Sequence, residues 1–201
     1  MKFADYERIK RIIGEIFEEN SDFLKEIPID IFGLANKMGF AIKRASHMIL
    51  NHREVIQTYL EINEDKDVYG FTVYDKKNSR FVIYIDDVYA GINKQRFSVA
   101  HEIGHIVLGH GQGDPEEEEI EANYFAGYLL CPDCLCLDDE VHGKVNENPL
   151  LLSELFGISL DTALINVNHI ANRKNAKPVE NNYEEVICNC LKQAVLTKIR
   201  D

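Results

Sequence analysis

The sequence predicts an α+β fold that is mostly helical and contains one small β-hairpin. Apolar residues recur at helical spacing in most segments of the 201-residue chain. Two short segments near the middle are instead rich in β-branched and aromatic residues, and turn-forming residues separate them. Since 45% of the residues are hydrophobic, the chain can bury one substantial core. We therefore expect one compact unit, built as two closely packed lobes.

The first elements are interpreted as scaffold. Residues 6–17 have apolar side chains at helical spacing, and a second helix should follow Pro28 and end at Gly39. Residues 40–44 fit a short strand. Residues 51–54 provide the N-cap and N3 residues of a capping box, which predicts that another helix begins there.

The predicted hairpin consists of residues 69–74 and 80–85, with the turn-prone residues 75–79 between them. From Asn93 the pattern becomes helical, and Gly109 provides a stop, so we expect a helix over residues 94–108. The hairpin should form a small sheet beside this helix.

Another helix should span residues 115–130. Asp114 is a suitable N-cap, Pro115 suits the first helical position, and Glu117 suits the third. Because the residue before a proline disfavours helical geometry, this helix should stop before Pro132.

The C-terminal part is expected to be helical. The pattern predicts helices at residues 150–156, 160–171 and 183–199, with a polar linker at 175–182. We interpret residues 1–132 as one domain. Residues 133–201 would form a helical lobe packed on it, with a helix-turn-helix-like segment around residues 150–172.

The charge and the cysteines exclude several classes of protein. A net charge of -12 argues against direct nucleic-acid binding, because neutralising phosphates requires clustered Lys and Arg, and it fits a basic protein partner better. The N-terminus contains no apolar run of signal-peptide or membrane-spanning length, so we expect a cytoplasmic protein without a membrane anchor. The chain has five cysteines, an odd number, and the cytoplasm keeps thiols reduced. We therefore do not expect structural disulfides. No feature of the sequence indicates an oligomeric state.

The segment His101-Glu102-Ile103-Gly104-His105 indicates metal-dependent chemistry. Two histidines four residues apart project from one helix face and can reach a single cation, for which Zn²⁺ is the natural candidate. A catalytic Zn²⁺ leaves one position to water and lowers its pKa to roughly 7. Glu102 can then accept a proton from this water and pass it to the leaving amine.

A catalytic zinc needs a third protein ligand, and we expect Glu121 to provide it. Glu121 is the acid deepest in the helix over residues 115–130. Residues 116–119 occupy the first turn, where carboxylates suit the helix dipole without a metal. His110 is the alternative ligand, but the metzincin pattern would require Gly and His where this chain has Leu108 and Gly111. We otherwise expect His110 at the rim of the site or behind a ligand.

Two blocks of the sequence closely resemble the ImmA/IrrE family of metallopeptidases. The first is residues 96–105, and the second comprises Glu121-Ala122-Asn123-Tyr124-Phe125-Ala126 and Leu129-Leu130-Cys131-Pro132. The resemblance implies a zincin-like fold, zinc on His101, His105 and Glu121, and Glu102 as the catalytic glutamate. It also implies a helix-turn-helix repressor as the protein substrate, which would make the protein an anti-repressor protease.

Two alternatives remain open. A DNA-binding regulator would use the segment at residues 150–172, although residues 160–171 gain a positive charge only beyond their end, at Arg173. A structural second zinc could be held by four thiolates, namely Cys134, Cys136, Cys188 and Cys190.

Overall fold

The computed structural model describes residues 5–21, 24–48, 69–145, 148–174 and 182–199. Within these ranges the chain forms ten helices and three strands, which confirms the predicted α+β class. In chain order they are α1 (Tyr6–Glu19), α2 (Ile31–Lys37), β1 (Ala41–Arg44), α3 (Ala45–Met48), β2 (Gly70–Asp75), β3 (Arg80–Ile85), α4 (Ile92–Leu108), α5 (Pro115–Leu130), α6 (Asp133–Leu137), α7 (Asp139–Val145), α8 (Pro149–Phe156), α9 (Leu160–Lys174) and α10 (Asn182–Lys198).

The sheet has the strand order β1-β3-β2. The predicted hairpin is confirmed, because β2 pairs antiparallel with β3 and places Gly70 opposite Ile85. Asp75 stabilises the connecting turn by accepting hydrogen bonds from the backbone of Lys77 and Asn78. The predicted short strand is also confirmed as β1, which adds to β3 in parallel. Among the residues that the structure describes, β2 therefore lies at an edge of the sheet.

The helix predicted over residues 115–130 has these bounds as α5, whereas α4 ends at the predicted Leu108 but begins two residues before the predicted start, at Ile92. The left-handed conformation that ends α4 is adopted by Gly109, with φ 74°. The side chain of Asp114 accepts a hydrogen bond from Glu116 N at the start of α5, and Pro115 follows in the first helical position.

These two helices pack closely because α4 has a glycine at their contact. A Cβ atom on Gly104 would lie only 3.0 Å from the ring of Phe125, which is itself fully buried. On its other side α4 covers the sheet, where a Cβ on Gly70 would lie 3.4 Å from that of Ser98. The helix is thus held between the sheet and α5.

The C-terminal helices pack on the N-terminal ones. The predicted helices at residues 150–156, 160–171 and 183–199 are confirmed as α8, α9 and α10, whereas α6 and α7 were not predicted. One continuous buried cluster includes Ile13 of α1 and Leu191 of α10. The division at residue 132 remains a prediction, since this core contains residues from both sides of it.

Two expectations lie wholly or mainly outside the described residues. The helix predicted to begin in the capping box at residues 51–54 is one of them, and the polar linker at residues 175–182 is described only at its last residue. Of the described helices, none alone is long and apolar enough to cross a membrane. The criterion is met only by α8 and α9 taken together, across a bend of 115°.

Candidate active site

The two histidines of α4 point at each other, one helical turn apart. The Nε2 atoms of His101 and His105 are 2.9 Å apart. The outer nitrogen of each ring is occupied by a different partner. His101 Nδ1 donates to Asn123 Oδ1 on α5 at 3.0 Å, and His105 Nδ1 lies 2.9 Å from Nδ1 of His110.

The hydrogen-bond partners determine which ring nitrogens are protonated. An amide oxygen and a carboxylate can only accept, so His101 donates through Nδ1 to Asn123, and His110 donates through Nε2 to Glu121 Oε2 at 3.2 Å. His105 Nδ1 and His110 Nδ1 share one hydrogen bond, in which His105 must be the donor if its Nε2 is to bind a metal. In that tautomer the facing Nε2 atoms of His101 and His105 both carry lone pairs.

Burial keeps His105 neutral. Loss of solvent lowers the pKa of His105 to about 4, and the neighbouring His101 acts in the same direction. At neutral pH the ring therefore carries a single proton, and with that proton on Nδ1 its Nε2 offers a lone pair. Two such lone pairs facing each other repel unless a cation lies between or beside them, so this pair is suited to bind a metal ion.

A carboxylate completes the group. Glu119 Oε2 lies 3.4 Å from His101 Nε2, and Glu119 Oε1 lies 3.4 Å from His105 Nε2. Two ligands, each about 2.0–2.1 Å from a tetrahedral zinc ion, are about 3.3–3.4 Å apart. His101, His105 and Glu119 each offer a ligand atom, and these atoms all lie within 4.8 Å of one another. The donor set and the two distances to Glu119 therefore fit Zn²⁺, whereas the two Nε2 atoms, 2.9 Å apart, are somewhat closer than two zinc ligands.

The structure does not bring Glu121 to the paired Nε2 atoms. Successive helical residues are rotated by about 100°, so Glu121 points about 200° away from Glu119 on α5. Its carboxylate instead contacts His110 Nε2 and the backbone N–H of Asp5. His110, the alternative ligand, lies behind His105 on its Nδ1 side. The two residues thus form a chain of contacts leading away from the metal-ligating atoms.

Glu102 lies between α4 and the sheet. Only 7% of this residue is exposed, and its Oε2 accepts a 2.7 Å hydrogen bond from Thr72 Oγ1 on β2. Burial raises the pKa of Glu102, while the hydrogen bond from Thr72 opposes that rise. A carboxylate with a raised pKa is a stronger proton acceptor than one in water, as a general base requires.

The sequence reasoning did not select Thr72, Asn123 or Glu119. A signal existed for two of them, because Glu119 and Asn123 are four residues apart and therefore share one face of α5. Thr72 had no such signal. Its contact with Glu102 depends on the way in which α4 covers the edge strand.

A cavity of about 500 Å³ is lined in part by Asn123, the hydrogen-bond partner of His101. Its wall is mainly apolar and includes Phe97, whose ring centroid is 6.4 Å from that of His101. The other lining residues come chiefly from α5 and α9 and include Ile120, Tyr124, Gly127, Thr162 and Ile165. A large apolar side chain fits such a space.

The cysteines do not assemble into the four-thiolate site considered from the sequence. Cys134 hydrogen-bonds to Cys188, whereas Cys136 hydrogen-bonds to Cys131 instead. Burial raises the pKa of Cys134 well above its usual value, which disfavours the thiolate that a metal requires. Of the described residues, only His101, His105 and Glu119 form a group of three or more potential ligands at metal-binding distances.

The helix-turn-helix-like segment has the expected corner but not the surface of a DNA-reading helix. Gly157 adopts a left-handed conformation between α8 and α9. The exposed surface of α9 carries the large hydrophobic residues Leu160, Leu164 and Ile165 together with Asp161, Asn168 and Asn172. The basic Arg173 near its end is partly buried and paired with Asp133 and Glu184, so this face offers amide groups but little positive charge for phosphate contacts.

Comparison with known proteins agrees with this geometry. Residues 63–168, more than half of the chain, match the IrrE N-terminal-like domain of the Peptidase_M78 family. The matched segment runs from before Thr72 on β2 to beyond the end of α5, and it therefore includes the histidines, acids and hydrogen-bond partners of the site described above. No curated protein matches the chain significantly.

Proposed function

This chain belongs to the Peptidase_M78 family of ImmA/IrrE-type metallopeptidases, and on that premise we propose that it is a zinc-dependent endopeptidase. The observation that supports zinc most directly is the convergence of His101 Nε2, His105 Nε2 and the Glu119 carboxylate. These three residues are proposed as the metal ligands. Glu119 takes the position expected from the sequence for Glu121.

The residues of the site have complementary roles. Bound Zn²⁺ would supply Lewis-acid activation of water and of the scissile carbonyl. Glu102 accepts the proton of the attacking water and later donates it to the leaving amine. Thr72 holds the Glu102 carboxylate by its 2.7 Å hydrogen bond, so that the lone pair used in proton transfer keeps one direction.

The surroundings suit an extended segment of a protein substrate. Within the described part of the chain β2, which provides Thr72, is an edge strand, and it can pair with such a segment through its backbone. The cavity lined in part by Asn123 is proposed to receive an apolar side chain of that segment. Filling it with Gly127→Leu should shift cleavage toward small side chains without loss of metal, since a Cβ at residue 127 makes only an ordinary 3.6 Å contact with Asn166. An unchanged cleavage pattern would contradict this role.

A helix-turn-helix repressor is the proposed substrate, and the cytoplasm is the proposed location. Two considerations support this. ImmA/IrrE-type enzymes are expected to cut such repressors, and the net charge of -12 would attract a basic DNA-binding domain by long-range steering. The acidic start of α5, with Glu116, Glu117 and Glu118, lies next to Glu119 and concentrates negative charge there.

A direct cleavage assay tests this function. The purified protein is incubated with the repressor encoded by a neighbouring gene and, separately, with casein, each with and without a chelator. We expect discrete repressor fragments that disappear with the chelator and with Glu102→Gln, because an amide preserves shape but accepts no proton. Chelator-sensitive digestion of casein with the repressor left intact would instead indicate a general peptidase.

A further inference from the structure

His110 and Glu121 are buried, polar and unused by the mechanism. Their side chains are 7% and 12% exposed, and they contact each other at 3.2 Å. His110 also contacts the face of His105 that points away from Glu119. A buried histidine bonded on both ring nitrogens has little freedom to rotate, so it can fix the position of whatever it contacts.

We propose that Glu121 and His110 form a two-residue relay that positions His105 as a metal ligand, an inference that rests on the proposed function. The carboxylate of Glu121 accepts from His110 Nε2, and His110 Nδ1 accepts from His105 Nδ1. His105 Nε2 is left to the metal. Hydrogen bonds on the outer nitrogen of a ligating histidine fix its tautomer and orientation and raise its basicity.

The relay is attached to the same helix that supplies the third ligand. Glu119 and Glu121 both belong to α5 and project in different directions. Glu118, between them, accepts hydrogen bonds from the backbone N–H groups of Gly111 and Gly113, which bind the turn after His110 to the start of α5. One helix would therefore hold a bound metal directly through Glu119 and indirectly through His110 and His105.

Each ligating histidine thus has its own anchor. His101 is oriented by the amide oxygen of Asn123, also on α5, at 3.0 Å. The series of hydrogen bonds behind His105 is longer, because it runs through His110 and ends in the Glu121 carboxylate. Because the ionised end makes hydrogen bonds stronger, the relay should fix the orientation of the His105 ring more firmly than the neutral amide of Asn123 fixes that of His101.

Metal affinity measured on the full chain tests this inference. His110→Phe keeps the ring volume but removes the acceptor for His105, and we expect the dissociation constant for Zn²⁺ to rise about 10- to 100-fold. His110→Asn places an amide oxygen near the former Nδ1 position and should recover part of that loss. Glu121→Gln keeps an acceptor but removes the charge, so its effect should be the smallest of the three. Glu116→Gln, an exposed acid on the same helix, should have no effect.

Binding is followed by competition with a chromophoric chelator, and the visible absorption of Co²⁺-loaded protein reports ligand geometry. A merely structural role for His110 would lower the unfolding temperature but leave the Co²⁺ spectrum and the Zn²⁺ affinity unchanged. Equal Zn²⁺ affinity in the wild type, His110→Asn and Glu121→Gln would overturn the inference even if His110→Phe failed to fold. A wild type that bound no Zn²⁺ at all would overturn the proposed function, and this inference with it.

Discussion

At the scale of single residues, the paired histidines show why spacing alone does not determine a metal site. Spacing places His101 and His105 on one helix face, but either ring nitrogen could point to the metal. Asn123 and His110 decide this, because each occupies an Nδ1 atom and leaves the Nε2 atom free. The sequence predicted both histidines as ligands, whereas the residues that orient them depend on contacts between helices.

The proposed third ligand shows the same limit. Depth along α5 suggested Glu121, but rotation about the helix axis determines which carboxylate meets the histidines. Glu119 and Asn123, four residues apart, face α4, whereas Glu121 faces Asp5 and His110. Only the orientation of α5 against α4 distinguishes these faces, and that orientation cannot be obtained from the pattern of a single helix.

Two amide substitutions distinguish these carboxylates. We expect Glu119→Gln to weaken Zn²⁺ binding far more than Glu121→Gln, because the first removes a ligand and the second removes only a charge behind one. In Glu121→Gln the dissociation constant for Zn²⁺ should rise by about 10-fold or less. The measurement is zinc content after dialysis against a graded chelator. A larger loss in Glu121→Gln than in Glu119→Gln would return the third position to Glu121.

Removing the hydrogen bond to Glu102, the proposed general base, should reduce turnover without loss of metal. Thr72→Val keeps the shape of the side chain but removes the hydroxyl that donates to Glu102 Oε2 at 2.7 Å. The Glu102 carboxylate is then no longer held in one orientation. We expect the initial rate of fragment formation to fall about 10-fold, the equivalent of one hydrogen bond of about 1.4 kcal/mol. Thr72→Ser, which retains the hydroxyl, should stay near the wild-type rate. Loss of zinc from Thr72→Val would contradict this role for Thr72.

At the scale of elements, local patterns predicted the individual strands and helices but not their pairing. The hairpin β2–β3 follows from two β-rich segments and a turn. The parallel addition of β1 to β3 joins Ala41 to Val82 across a long stretch of chain, and no local pattern indicates it. The short helices α6 and α7 were missed because periodicity is hard to recognise over five and seven residues.

The closeness of α4 and α5 should matter for both stability and metal binding. In Gly104→Val the added side chain would meet the buried ring of Phe125, whose nearest atom lies 3.0 Å from the position of a Cβ. We expect the free energy of unfolding to fall by about 1–3 kcal/mol. Zn²⁺ affinity should also fall, because the distance between these helices determines how closely Glu119 approaches the histidines. Urea titration and chelator competition measure the two effects.

A glycine in an open position provides the matched control. Gly143 of α7 has no atom within 4 Å of an added Cβ, so Gly143→Val should leave zinc affinity unchanged. If Gly104→Val lost stability but bound Zn²⁺ as the wild type does, helix spacing would not control the position of Glu119.

At the scale of the whole molecule, α4 is joined to distant parts of the chain as well as to its neighbours. Arg96, only 8% exposed, donates to the carbonyl oxygens of Ile29, Phe156 and Gly157 at 2.7, 3.2 and 2.9 Å. Ile29 lies just before α2, and Phe156 and Gly157 lie at the C-terminal end of α8. The sequence placed Arg96 within the motif that resembles the family, but its partners could not be predicted because they are about 60 residues away on either side.

Replacing Arg96 should therefore destabilise the whole fold. In Arg96→Met three buried carbonyl groups lose a charged donor, and we expect the free energy of unfolding to fall by about 3–5 kcal/mol. Arg96→Lys keeps the charge but cannot direct donors to all three oxygens. Its free energy of unfolding should therefore lie between those of Arg96→Met and the wild type. The control is Arg11→Met, which removes an exposed pair with Glu15 and should cost at most about 0.5 kcal/mol. Urea unfolding followed by circular dichroism measures all three variants. A loss in Arg96→Met no larger than in Arg11→Met would show that α8 and α2 are held in place without this residue.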